Sequence, residues 1–508
     1  MRDPVHHRDF RCAAQQGTLG APRRARVAAI ALLCALATAG QAQAHGFGAR
    51  YDLPIPLSLY LAGAGLTVAL SFLMLALFMR SAPRADEYRR IDLTHTAVGR
   101  LLGTPGVLLA CRTLGVALFL LVVAAGLFGA QRPLKNIAPV MVWAIWWVGM
   151  AYISALLGNL WALINPLDTL FQWAQLLCER IWPGRKLALG WRYPDALGVW
   201  PAVFLFLVFV WMEVVWEHSD SPAHLAAAML AYAALTWLGM LLFGRAQWLR
   251  CGEAFALVFG LLARFAPAGH RNPGSGGRTL ELRPYAVGLL SREPVSGSSI
   301  VLVLALLAAV SFDGFMETPH WAAVLEYYAP PARDLASDSD AARAWVQTAG
   351  VIAAPLLFVA VYLGFCRLIA WSGDARVPAA RIAGLFVLTL VPIAIAYHLA
   401  HYLSFLAMAV QYLIAIASDP FGWGWDLFGT ANNFIRIGLI DARAVWYLSV
   451  GAIVTGHMAA VYLAHRIALR AYPDRRLALR SQWPMLALMV CYTMTSLWII
   501  AQPIVTIR

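Results

Sequence analysis

The chain has 508 residues, 61% of them apolar and 13% charged, with a formal net charge of +13. That apolar share excludes an ordinary soluble domain and a disordered chain, both of which carry far more polar residues. The charge does not argue for nucleic acid: it is almost wholly arginine, with only Lys135 and Lys186 as lysines, and it falls in loops between apolar runs. No nucleic-acid partner is expected.

Residues 1–44 read as a cleaved signal peptide, with a basic stretch ending at Arg26, an apolar core from Val27, and Ala42-Gln43-Ala44 as a small-x-small cleavage site. An uncleaved signal anchor is the alternative. Cleavage after Ala44 would expose His45 as the new terminus. Its α-amino nitrogen and imidazole together form a chelate suited to copper.

A bilayer core needs about 20 apolar residues per helix. The chain offers ten such stretches, at 58–79, 107–129, 138–163, 198–217, 224–243, 298–316, 349–371, 382–410, 445–465 and 485–506. The expected fold is therefore all-α: residues 45–508 form one polytopic bundle of about ten transmembrane helices joined by short loops. Arginine collects in the odd-numbered loops, as in Arg180/Arg185/Lys186/Arg192, whereas the fourth loop holds no cation and carries Glu217, His218, Asp220 and His224. Basic loops stay in the cytoplasm. Both mature ends are thus expected in the periplasm of a bacterial inner membrane.

Between the spans, residues 250–265 around Glu253 suggest an interfacial or partly buried helix, and the Pro- and Gly-rich stretch 266–297 suggests a flexible connector. Two outer loops, 318–345 and 418–444, are candidates to cover a site. The second alternates aromatics and glycines around Asp419, Trp423 and Trp425, a pattern that an aromatic belt also explains. The seven cysteines show no Cys-x-x-Cys, and no phosphate-binding glycine loop is present, which argues against a zinc ribbon and against ATP-driven work.

Ionisable groups at bilayer depth are costly and default to a functional reading. Here they are Arg112, Glu213, Asp313, His398, His401 and His457, with the polar Asn159 beside them. His398 and His401 stand three apart and share a helical face, which is metal-ligand spacing. Glu213, Asp313 and the three histidines fall at similar depth between mid-membrane and the outer surface, so they could surround one zinc or copper ion and one water. Hydrogen bonding between helices, or pairing of the acids with Arg112, is the structural alternative. A haem reading of the same histidines, with His465 as a fourth, fails on the placement of His465 at the cytoplasmic end.

The segments His45-Gly46-Phe47-Gly48, Asn159-Leu160-Trp161, Ser311-Phe312-Asp313-Gly314-Phe315, Tyr397-His398-Leu399-Ala400-His401-Tyr402, Ser418-Asp419-Pro420-Phe421-Gly422 and Gly456-His457 resemble those of bacterial membrane proteins labelled fenitrothion hydrolase. The likeness covers nearly the whole mature chain. It implies hydrolysis of an organophosphorus triester by a membrane-bound enzyme. Depth and spacing, rather than the resemblance, give the expected roles: His398, His401, His457 and His45 as metal ligands, Asp313 as bridging ligand or general base, and Glu213 as second carboxylate. Trp423, Trp425, Asp419, Tyr397 and Tyr402 would line the substrate pocket, the tryptophans stacking on the aryl ring. Two other readings stay open: a transporter or copper-handling permease that uses the same cluster, and one subunit of a larger complex.

Overall fold

The computed structural model describes residues 51–79, 88–271, 279–291, 293–330, 339–436, 439–472 and 474–504. The signal-peptide stretch 1–44 and His45 lie outside them. Among the described residues, ten helices are long and apolar enough to cross a membrane: Leu57–Phe78, Pro105–Phe128, Ile137–Leu156, Asp195–Val214, Pro222–Phe243, Gly297–Met316, Asp340–Ser372, Ala379–Ala417, Ala442–Ala471 and Arg475–Gln502. They are spans 1 to 10 below.

Local chemistry sets where several of them begin. The Thr104 hydroxyl accepts the Val107 N–H at 3.4 Å with Pro105 at the first helical position, Ser296 accepts from Ser299 at 3.3 Å, and Asp441 accepts from Ala444 at 2.6 Å. Each contact satisfies an N–H group that the first turn leaves without an intrahelical partner.

Span 8 is the core of the bundle. Its most apolar window is 94% buried, against 22% for spans 2, 4 and 7, whose leucines face outward as lipid-exposed surface. Span 9 packs closely on it because of one glycine. A Cβ at Gly456 would stand 2.4 Å from Ala396 Cβ and 2.8 Å from the Pro392 carbonyl oxygen, so only a hydrogen fits. Small residues at helix contacts are the usual means of close approach in a bilayer, where apolar burial between helices gives little drive.

Several boundaries depart from the sequence reading. Span 3 ends at Leu156 rather than 163, and Asn159 sits beyond it, its side chain capping Ala162 N at 3.1 Å. The span is also wound as a π-helix over Val140–Gly149 before returning to α geometry. Span 8 is longer than expected and passes through a 3₁₀ segment, Val387–Leu390, just before Pro392. Such departures inside helices often mark working regions.

The stretch 266–297 is more than a connector. It contributes two strands to a small antiparallel sheet, in which β1 (Ile91–Asp92) and β2 (Ala268–Arg271) flank β3 (Thr279–Leu282). An Arg90–Glu281 ion pair ties the loop after span 1 to that sheet. The segment around Glu253 forms a buried helix, Ala254–Leu262, with the Glu253 carboxylate accepting from Phe255 N at 3.1 Å and Ala256 N at 2.6 Å and receiving the Tyr232 hydroxyl. Burial pushes the Glu253 carboxyl above the usual glutamate range.

Candidate functional site: a buried carboxylate, tyrosine and histidine cluster

Glu213 is the penultimate residue of span 4, and Asp313 lies three residues from the end of span 6. These spans run in the same sense through the alternating bundle, so both acids sit toward one membrane face. Span 8 presents His398, His401 and Tyr402 to them at i, i+3 and i+4, which is one face of the helix.

The groups meet. The Tyr402 hydroxyl oxygen lies 2.7 Å from Asp313 Oδ2 and 3.0 Å from Glu213 Oε1. His401 Nε2 lies 2.9 Å from the same Asp313 oxygen. The His401 side chain is 8% exposed and that of Asp313 is 21%, so the cluster is enclosed but not sealed.

Counting protons gives the arrangement its chemistry. A phenol has a single proton and donates it to one acceptor, while an ionised carboxylate only accepts. Both Tyr402 contacts are therefore hydrogen bonds only when one of the two carboxyls is itself protonated and donates to the phenol oxygen. That proton can then pass: Glu213 gives it to the phenol oxygen as the phenol gives its own to Asp313, and Tyr402 ends unchanged. Asp313 in turn faces His401 Nε2.

His398 stands beside this chain without joining it. Its ring packs on Tyr402 at 4.7 Å, on Trp147 at 5.5 Å and on Tyr152 at 5.7 Å between centroids, and its Nε2 is buried without a hydrogen-bond partner. The Tyr152 hydroxyl donates to the Leu399 carbonyl at 2.9 Å, fastening span 3 to the same turn. His457 is turned elsewhere. Its Nδ1 lies 2.8 Å from the Ile453 carbonyl and its ring lies 5.7 Å from that of Tyr492.

The described residues do not bring together the donor set expected for zinc or copper, of which His45 lies outside them. Among the described residues, no three His, Cys, Asp or Glu side chains are grouped to hold a metal ion. His398 and His401 share a face as the spacing required, but His401 Nε2 is engaged by Asp313. Neither acid has Arg112 as a hydrogen-bonding or ion-pair partner in the cluster.

The aromatic loop also departs from its expected place. The Asp419 carboxylate accepts from Trp423 N at 2.9 Å and Gly424 N at 2.7 Å, closing its own turn. Trp423 stacks on Phe421 at 4.5 Å and meets Trp425 edge-on at 5.0 Å. The loop docks on the connection between spans 2 and 3, with Ala130 N donating to the Phe421 carbonyl at 2.7 Å. Span 8 runs on to Ala417, about 22 Å along the axis past Tyr402, so the described contacts of Asp419, Trp423 and Trp425 are not with the cluster. In the loop 318–345, Pro319–Tyr328 form a helix capped by the Thr318 hydroxyl on Trp321 N at 3.3 Å.

The sequence reading placed Tyr402 in a substrate pocket and missed its bridging role. It also passed over Tyr152 and the Tyr492–Ser311 pair, whose hydroxyl oxygens lie 2.5 Å apart. Neutral hydroxyls carry no charge to flag them at bilayer depth; the one available signal was that Tyr402 directly follows His401. Comparison with protein-family models, curated proteins and solved structures finds no match for this chain.

Proposed function

We propose that the protein is a membrane transporter that moves a solute at the expense of a proton gradient, with Glu213, Tyr402, Asp313 and His401 as its proton relay. The observation that carries this reading is the single hydroxyl of Tyr402 shared between two acids from different helices. Chains of acid and histidine side chains inside a bilayer are the usual substance of proton relays. The irregular windings of spans 3 and 8 beside the cluster supply the backbone breaks that transport proteins use. The arginine-rich loops support a bacterial inner-membrane location with the relay toward the periplasm.

One observation favours a second reading, hydrolysis of a hydrophobic organophosphorus triester, the activity that the resemblance implies. Asp313 holds His401 by Nε2 and leaves Nδ1 to accept a proton from water, as a general base does. No metal is needed for that step.

Liposomes containing the purified protein and an internal pH dye test both. Under an imposed pH gradient, with and without a nitrophenyl phosphotriester, proton flux above that of empty liposomes and its loss in Asp313→Asn uphold the relay. Flux equal to empty liposomes, or unchanged in the variant, overturns it. Nitrophenol release that vanishes in His401→Gln would establish the hydrolase instead.

A further inference from the structure

Past the relay lie, among the described residues, two fully buried polar atoms without a hydrogen-bond partner, Tyr397 Oη and His457 Nε2, on spans 8 and 9, with the buried Ser496 of span 10 near them. They belong to one region. A Cβ at Gly314 would stand 2.7 Å from Tyr397 Oη and 3.5 Å from His401 Nδ1, so both polar atoms face the same bare patch of span 6. The contact of Gly456 with Ala396 sets His457 next to the turn that carries Tyr397. Tyr492, on which the His457 ring packs, is one turn from Ser496 and reaches Ser311, two residues before Asp313.

A buried polar group left unpaired loses its hydration without compensation. Clusters of such groups in native proteins hold ordered water, which commonly makes about three hydrogen bonds. One to two turns past His457, a half-open cavity of about 10 Å³ is lined by Gln482 and otherwise by apolar side chains such as Phe72, Val461, Leu486 and Met489, room for about one water. Gln482 Oε1 lies 2.9 Å from His465 Nδ1, and His465 Nε2 lies 3.4 Å from the carbonyl of Met79, at the end of span 1. Eight residues separate the two histidines, about 12 Å along the helix, with the cavity between them.

We propose that internal water lies along span 9 between Tyr397, His457 and Gln482, forming a passage that joins the cluster around Asp313 to the opposite membrane face at Met79. Its use for protons rests on the relay reading; its hydration does not.

Radiolytic hydroxyl-radical footprinting of the intact protein in lipid nanodiscs tests the water directly, because buried side chains are oxidised fast only when water stands beside them. Tyr362 is the internal control: it is also buried, but its hydroxyl is satisfied by the Ala383 carbonyl at 2.7 Å. Tyr397 and Met489, both buried, should oxidise severalfold faster than Tyr362. Rates equal to that of Tyr362 overturn the proposal. In His457→Leu, labelling of Tyr397 should fall toward the control and proton flux should fall with it. Flux lost in Asp313→Asn but retained in His457→Leu would reject the passage and keep the relay; fast labelling with flux indifferent to Asp313→Asn would reject the relay and keep the water. If His457→Leu does not fold, the wild-type labelling rates decide alone.

Discussion

Replacing Tyr402 by Phe removes one oxygen and leaves the ring, which is 9% exposed, to pack as before. No large cavity opens, so the loss is almost wholly electrostatic. Two contacts go at once, to Asp313 at 2.7 Å and to Glu213 at 3.0 Å. The bond to the charged carboxylate contributes about 1.5–3 kcal/mol and that from the neutral acid about 0.5–1.5 kcal/mol, and because the two share one hydroxyl they do not add in full, which sets the expected loss at about 3 kcal/mol. Unfolding in mixed lipid–detergent micelles by increasing SDS measures it. The infrared carbonyl band of a protonated carboxylic acid supplies a second readout: the wild-type protein should show it at neutral pH, and the variant should shift it, because the protonated acid has lost its acceptor. A loss below about 0.5 kcal/mol, the range of an inconsequential surface change, together with an unmoved band, would refute the shared-proton reasoning.

Other outcomes follow from the same geometry. Gly456→Leu should cost at least about 1–3 kcal/mol by overpacking, since its first side-chain carbon already meets Ala396 and the Pro392 carbonyl; monodisperse protein in wild-type yield would contradict the packing of spans 8 and 9. Glu253→Ala should cost about 1 kcal/mol or more through loss of the cap on Ala254–Leu262, read from accelerated amide exchange in that helix. Burial raises the folded-state pKa of Glu253, so its contribution to stability is fully present below the unfolded-state pKa and is lost as pH rises through the folded-state value. Stability of the wild-type protein should therefore fall over that window, and Glu253→Gln should flatten the slope; parallel pH profiles would count against it. Trp423→Ala should lose the stacking on Phe421, about 0.5–1.5 kcal/mol, while leaving proton flux untouched, and reduced flux would return the aromatic loop to the site.

The amino-acid order carried the ten-helix bundle almost unaided, because the bilayer's thickness and its lack of water leave a long apolar run one main option, a spanning helix. It also singled out Glu213, Asp313 and His401, since charge at that depth is costly enough to be rare. Spacing along a helix could further show that His398, His401 and Tyr402 share a face. It could not show which neighbours that face would meet. Rotation and tilt depend on packing contacts such as Gly456 against Ala396, and these turn His457 toward Tyr492 instead of into a metal site, send the aromatic loop to the connection between spans 2 and 3, and set one tyrosine hydroxyl between two acids from helices a hundred residues apart. Hydrogen bonds act over about 3 Å, and only the folded bundle decides which groups come that close.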